Sequence, residues 1–189
     1  MQAANKPTSW LTAIAAYAIG AFVSSTALGA VLGFLGSILM PRPWMPVATL
    51  AIGGLGIALA LSDLGVGGAC TPTPRRQTQP LWWWTFGPTR AMFLWGVDLG
   101  LGFTTIRVAS LYWIVVLVVG SLTTPPTGAA ILGAYGLALV INLVAGAFLL
   151  RRCGVHANIC ALRLFFPLKI SLAVVLLAWS ILLLVIGLR

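Results

Sequence analysis

The residues best placed to do chemistry are an acid and a base inside an apolar stretch. Asp98 and Arg107 are the only charges between residues 91 and 122. An ionisable side chain at bilayer depth costs about 2.5–3.5 kcal/mol on insertion scales, so it marks a contact for an ion, a proton or an anionic substrate. Nine residues apart, the two fall on opposite faces of a straight helix. Either a break folds them together or each meets a different partner. The plainer alternatives are a structural ion pair and an arginine snorkelling to the interface. Thr104 and Thr105 beside them, Ser24, Ser25 and Thr26 in an earlier stretch, and Asn142 in a later one complete a candidate polar intramembrane centre. Asn142 also reads as a hydrogen-bonding tie to a neighbouring helix. Asp63, the other acid, reads as a solvated helix end.

A second group is Cys153, His156 and Cys160, within Arg-Arg-Cys-Gly-Val-His-Ala-Asn-Ile-Cys. Three soft ligands in eight positions suit a metal and two thiols suit a disulfide, but the spacing matches no standard zinc motif. Arg151 and Arg152 would lower the thiol pKa and favour reactivity. A reducing cytoplasmic setting disfavours a stable disulfide. Inert thiols, a redox site and a metal site all remain open. Cys70 makes the cysteine count odd, which leaves at least one thiol unpaired within the chain. No phosphate loop, catalytic triad, haem-attachment motif or carboxylate pair is present. With two acidic residues in all, acid–base enzymology is poorly supported, and no cofactor is implied.

The elements that position these residues follow from composition. The chain has 189 residues, 60 % of them hydrophobic and 7 % charged, with a mean hydropathy of +1.07. A soluble domain carries about 25 % charged residues. That excludes a soluble enzyme, a disordered chain and a disulfide-knotted secreted domain. The net charge of +9 would suggest nucleic acid in a soluble protein. Here no basic run exceeds Arg75-Arg76 and Arg151-Arg152, and both adjoin apolar spans, so the bilayer is the partner implied and nucleic acid is not.

About 20 apolar residues cross a bilayer as helix. Apolar stretches cover 10–40, 45–66, 91–122, 128–150 and 168–188, giving an all-α polytopic protein with one transmembrane domain over 1–189. Five crossings are expected, with six as the alternative if the first stretch is a hairpin. Residues 151–167 read as a basic loop and 67–90 as a long polar one. The first and third stretches would each extend about 45–48 Å as straight helix, and both carry hydroxyl or glycine residues mid-stretch. Both are therefore expected to break. Lys6 ahead of an apolar run resembles a signal peptide but is read as a retained span.

Lys6, Arg75, Arg76, Arg90, Arg151, Arg152, Arg163 and Lys169 fall on one side of this arrangement, Arg42 and Arg189 on the other. The long loops are therefore expected in the cytoplasm. Trp82, Trp83 and Trp84 form either an interfacial aromatic belt or a docking surface for a partner. Gly29, Gly33 and Ser37 recur every four residues, a stripe for close packing against a helix of this chain or of another subunit.

The two long stretches are also alike. Tyr17-Ala18-Ile19-Gly20 precedes Ser24-Ser25-Thr26, and Phe93-Leu94-Trp95-Gly96 precedes Gly102-Phe103-Thr104-Thr105, the pattern of an internal repeat. The segment 96–122, its Thr-Thr-Pro-Pro-Thr turn, and Ile131-Leu132-Gly133-Ala134-Tyr135-Gly136-Leu137-Ala138-Leu139 resemble the transmembrane domain of cytochrome c biogenesis proteins of the CcdA and DsbD type. That resemblance implies a bacterial plasma membrane and a scaffold with two helix breaks. The family places a Pro-Cys pair at each break, whereas Thr26 and Thr105 or Ile106 stand there in this chain. Thiol–disulfide exchange needs a thiolate, so the resemblance implies the scaffold without that chemistry. Three readings follow: a transport or accessory membrane module, electron transfer through Cys153 and Cys160, and a structural subunit of a larger membrane complex.

Overall fold

The computed structural model describes residues 7–66, 81–102, 110–153 and 157–188, with side chains for all of these except 7–9, 149–153 and 157–166. Among them the chain is helical throughout, without strands. The helices are α1 (Pro7–Leu39), α2 (Met45–Asp63), α3 (Leu81–Phe86), α4 (Pro88–Leu101), α5 (Leu111–Leu122), α6 (Pro125–Cys153) and α7 (Ala157–Gly187), with one 3₁₀ turn at Arg42–Trp44.

Prolines start the helices and glycines stop them. Proline occupies the first turn of α2 and of α4, where its missing N–H leaves no bond unmade. At the end of α2, Gly65 takes φ 86°. Its N–H bonds the Ser62 carbonyl at 3.0 Å and the Val66 N–H bonds the Leu61 carbonyl at 2.9 Å. This is a Schellman stop, which needs a residue free to adopt a left-handed conformation. Only Thr123 and Thr124 separate α5 from α6. The Thr124 carbonyl accepts from Gly128 N–H at 2.8 Å, and its hydroxyl meets that of Thr127 at 3.0 Å.

Four helical segments are long and apolar enough to cross a membrane: Trp10–Leu39, Arg42–Asp63, Pro125–Phe148 and Pro167–Gly187. Their outward faces carry Ile19, Val31, Ile141, Val175 and Ile186, all exposed. A monomeric soluble protein rarely shows contiguous apolar surface on this scale; hydrocarbon chains cover it without cost. The chain is a multi-pass helical membrane protein.

Helix α1 is the hub, packed against α4, α6 and α5, while α2 packs against α7 and α5. Two apolar clusters result. Ala13, Tyr17, Ala21 and Met92 form one, with Trp83, Trp95, Leu99, Val140 and Leu143 against it. Ile52, Ala60, Ile114, Val118, Leu176 and Leu183 form the other.

The helices correct several expectations. The first stretch does not break at Ser24–Thr26: α1 is continuous, so the hairpin alternative is absent. The reason is local. Ser25 Oγ donates to the Ala21 carbonyl at 2.6 Å and Ser24 Oγ donates to the same carbonyl at 3.3 Å, so both hydroxyls are satisfied within the helix they were expected to interrupt. The third stretch is two helices, α4 and α5. The basic loop expected at 151–167 is largely helix, because α6 continues to Cys153 and α7 begins at Ala157 with Pro167 inside it. The loop expected at 67–90 gives way to helix from Leu81 onward.

Candidate functional site

The polar groups concentrate where α1 meets α4 and α6, and where α4 gives way to α5. At the first place, glycines bring backbones together. A Cβ on Gly20 would strike the Phe93 carbonyl oxygen and come within 3.1 Å of Val97 N. A Cβ on Gly96 would strike the Tyr17 carbonyl oxygen and come within 2.9 Å of Ala21 N. The contacts are reciprocal: each glycine faces the carbonyl three residues before the other and the amide one residue after it. The two aromatic-x-x-Gly segments that look alike in sequence thus pack on each other, side by side and in the same direction. Reciprocity is what two similar parallel segments acquire when an axis along the helices relates them.

Ser24, Ser25 and Thr26 point in two directions from this contact. Ser24 lies against Gly100 of α4, while Ser25 and Thr26 lie against Gly136 and Gly133 of α6. Ser24 and Ser25 are buried. Thr26 Oγ1 is buried with no hydrogen-bond partner among the described residues, sealed 2.8 Å from where Gly133 would carry a Cβ. Asp98 is half-buried on α4, two residues before Gly100.

Helix α4 ends at Gly102, whose φ of 74° puts it in the left-handed region and whose N–H reaches the Asp98 carbonyl at 3.4 Å. The Tyr112 hydroxyl, from the first turn of α5, donates to the Leu101 carbonyl at 2.7 Å. That bond satisfies one of the carbonyls a helix leaves open at its C-terminus. The Tyr112 ring lies 5.1 Å from that of Tyr135 on α6. Ser110, immediately before α5, donates its N–H to Asp63 Oδ2 at 2.7 Å and its hydroxyl to Asp63 Oδ1 at 3.1 Å. Asp63 is 4 % exposed. It is therefore not the solvated helix end expected of it but a buried acceptor that ties the start of α5 to the end of α2.

Thr104, Thr105 and Arg107 lie outside the described residues, as does His156, and the side chains of Cys153 and Cys160 are not described. Asn142 is separate from the serine group: it is exposed on the outer face of α6 and makes no hydrogen bond to another described residue. The tryptophans diverge. Trp83 turns inward and stacks on Trp95 at 5.9 Å, Trp82 is half-buried, and Trp84 is 78 % exposed. Gly29 and Gly33 face α6 and the turn before it, against Gly128 and Thr124. The position that continues their stripe is Gly36, packed on Gly120, whereas Ser37 is exposed and bonds its own helix at the Phe34 carbonyl, 2.7 Å away.

Ser110, Tyr112 and Tyr135 escape a sequence reading because nothing in their spacing singles them out. Asp63 carries a usable signal: in a chain with two acids, either one spends a charge that an apolar sequence avoids. Among the described residues no three His, Cys, Asp or Glu side chains gather as a metal-binding group. No family model, curated protein or solved structure matches the chain.

Proposed function

We propose that this protein is an accessory module of a larger membrane assembly, docked through the outer face of α6, and that it carries out no chemistry of its own. Asn142 carries this reading. It lies within the candidate span Pro125–Phe148, nine residues or about 14 Å of helix before Arg151. Its side chain is exposed among the described residues. Lipid offers no hydrogen bond at that depth, whereas a helix of another subunit does. Ala134, Ala138 and Ala145 are exposed on the same helix, and small residues let a second backbone approach closely.

The hydroxyl groups favour assembly over transport. Those of Ser24 and Ser25 are turned onto carbonyls of their own helix and pressed against glycines of α4 and α6, which is how hydroxyls serve helix packing. Five passages suit the directions of the helices: α4 and α5 lie beside successive parts of α1, at Tyr17–Ser24 and at Gly36, and run its way. The CcdA-like scaffold draws support from the α4–α5 junction, where Gly102 ends a helix in the stretch that carries the family's second break. The continuous α1 lends it none.

The test is to purify the tagged chain in mild detergent and compare wild type with Asn142→Leu and Asn142→Gln. Loss of a stoichiometric partner in the leucine variant and its recovery in the glutamine variant is the expected result. An assembly unchanged by Asn142→Leu would overturn the reading. A model-peptide interhelical hydrogen bond contributes about 1–2 kcal/mol, enough to shift the assembled fraction severalfold.

A further inference from the structure

We infer that a groove between α1 and the start of α4 binds one anionic phospholipid, with Arg90 holding its headgroup. The groove encloses about 520 Å³ and is lined by Ala16 and Ile19 of α1, by Phe86, and by Arg90, Phe93 and Leu94 of α4. That volume falls in the ordinary range for small-molecule sites, about 300–1,000 Å³. Its chemistry is divided along its length. Arg90 lies one turn before Phe93 and Leu94, so one end is cationic and the rest is hydrocarbon and aromatic ring. An open apolar groove with one cation, among the described residues, at its end complements an acyl chain that ends in an anionic head.

The mouth offers more than the guanidinium. Thr89 lines it as well. Helix α4 has no side-chain cap, and its first backbone bond runs from Ala91 N–H to the Gly87 carbonyl at 3.0 Å. The N–H groups of Thr89 and Arg90 therefore have no acceptor within the helix. Arg90 is exposed and makes no ion pair with a described residue, and Asp63 is held by Ser110 far along the sequence. The exposed Trp84 and Phe86 place this end of α4 among residues typical of the membrane–water boundary. On the charge distribution of the chain that boundary is the cytoplasmic one, where anionic lipids are concentrated.

The experiment reconstitutes the full chain in detergent with equal amounts of phosphatidylglycerol and phosphatidylcholine and counts the lipids retained on each molecule by native mass spectrometry. Wild type should retain one phosphatidylglycerol in preference. Arg90→Gln should reduce that preference about fivefold, the factor one basic residue contributes beside an anionic surface. Arg42→Gln, a basic residue outside the groove, should leave it unchanged. Ala16→Phe, which fills the channel, should release lipids of both headgroups, and Ile19→Phe serves if the first variant does not insert. The inference is overturned if Arg90→Gln retains phosphatidylglycerol as wild type does, or if Arg42→Gln loses it equally. It is also overturned if millimolar inorganic phosphate displaces the bound molecule, which would make the site an anion pocket without a use for the groove.

Discussion

Where Gly20 meets Gly96 on α4 and Gly29 meets Gly128 on α6, an added methyl group on α1 would meet backbone first; where α2 crosses α7, it would meet side chains first. Gly29 and Gly128 each face the other's carbonyl, and Gly20 and Gly96 face the carbonyls of Phe93 and Tyr17. On the other side of the molecule, Gly53 faces the Leu184 side chain at 2.9 Å, Gly187 faces that of Leu50 at 2.9 Å, and Gly56 faces the Ser180 hydroxyl. A leucine rotamer can yield by a few tenths of an ångström, and a helix backbone cannot do so without moving its whole element. Those two α1 contacts are therefore the harder to re-pack, and the α2–α7 contact the easier. Buried hydroxyls occur on both sides, Ser24 and Ser25 on α1 and Thr49 and Ser180 on α2 and α7, although the α2–α5–α7 cluster is otherwise filled largely with isoleucine, valine and leucine.

The largest effect should come from breaking the rigid side. Gly29→Ala places a Cβ 2.7 Å from the carbonyl carbon of Gly128, and Gly96→Ala does the equivalent against α1. Overpacking costs about 1–3 kcal/mol where neighbours can adjust, and these substitutions should lie at the upper end. Gly53→Ala, which meets the Leu184 side chain at 2.9 Å and the Ser180 carbonyl oxygen only at 3.0 Å, should lose less, about 1 kcal/mol after the helix-propensity gain of alanine over glycine. Unfolding curves in mixed micelles, read by tryptophan fluorescence, would check this. Equal losses on the two sides would dissolve the distinction.

The tie between α2 and α5 comes next. Asp63 of α2 holds Ser110 at the threshold of α5 with two hydrogen bonds, and both residues are buried. Asp63→Ala leaves a buried N–H without its acceptor, a cost of about 1–3 kcal/mol. Ser110→Ala removes only the hydroxyl, so it should cost less. The double variant should lose less than the sum of the two singles, because one interaction is being removed twice. Strict additivity would show that Asp63 and Ser110 act independently and that the α2–α5 contact is held by other groups.

How much of this was legible in the sequence depends on what each residue type reveals. Apolar runs marked the long helices, because twenty apolar residues have few other uses, and Thr-Thr-Pro-Pro marked the α5–α6 turn. The likeness of Tyr17–Gly20 to Phe93–Gly96 was also visible, although not that the two would touch. Misreadings came from residues with two uses. Ser24 and Ser25 read as a break but bond the helix they sit in, since a serine hydroxyl can replace or reinforce the same carbonyl contacts. Arg151–Pro167 read as a loop from its charge and its proline, yet helix runs through most of it. Asp63 read as a solvated end because it closes an apolar run; only the partner 47 residues away reveals its burial, and no local pattern encodes that partner. Asn142 stands out in sequence by its place mid-stretch, while the face it occupies depends on which side of α6 meets α1.

The smallest effect separates two adjacent residues. Gly53 and Gly54 follow each other on α2, but Gly53 is buried against α7 and a Cβ on Gly54 would meet nothing within 4 Å. Both glycines carry the same helix-propensity deficit, about 0.8–1 kcal/mol relative to alanine in water. Gly54→Ala should therefore leave stability unchanged or raise it by a few tenths of a kcal/mol, since it gains propensity and displaces only lipid. The neighbouring Gly53→Ala gains the same propensity and gives it back against Leu184, so the difference between the two variants isolates the packing term of the α2–α7 contact. If Gly54→Ala proves as damaging as Gly29→Ala, the outer face of α2 is occupied by a close-packed neighbour rather than by lipid. That result would extend the proposed docking face from α6 to α2.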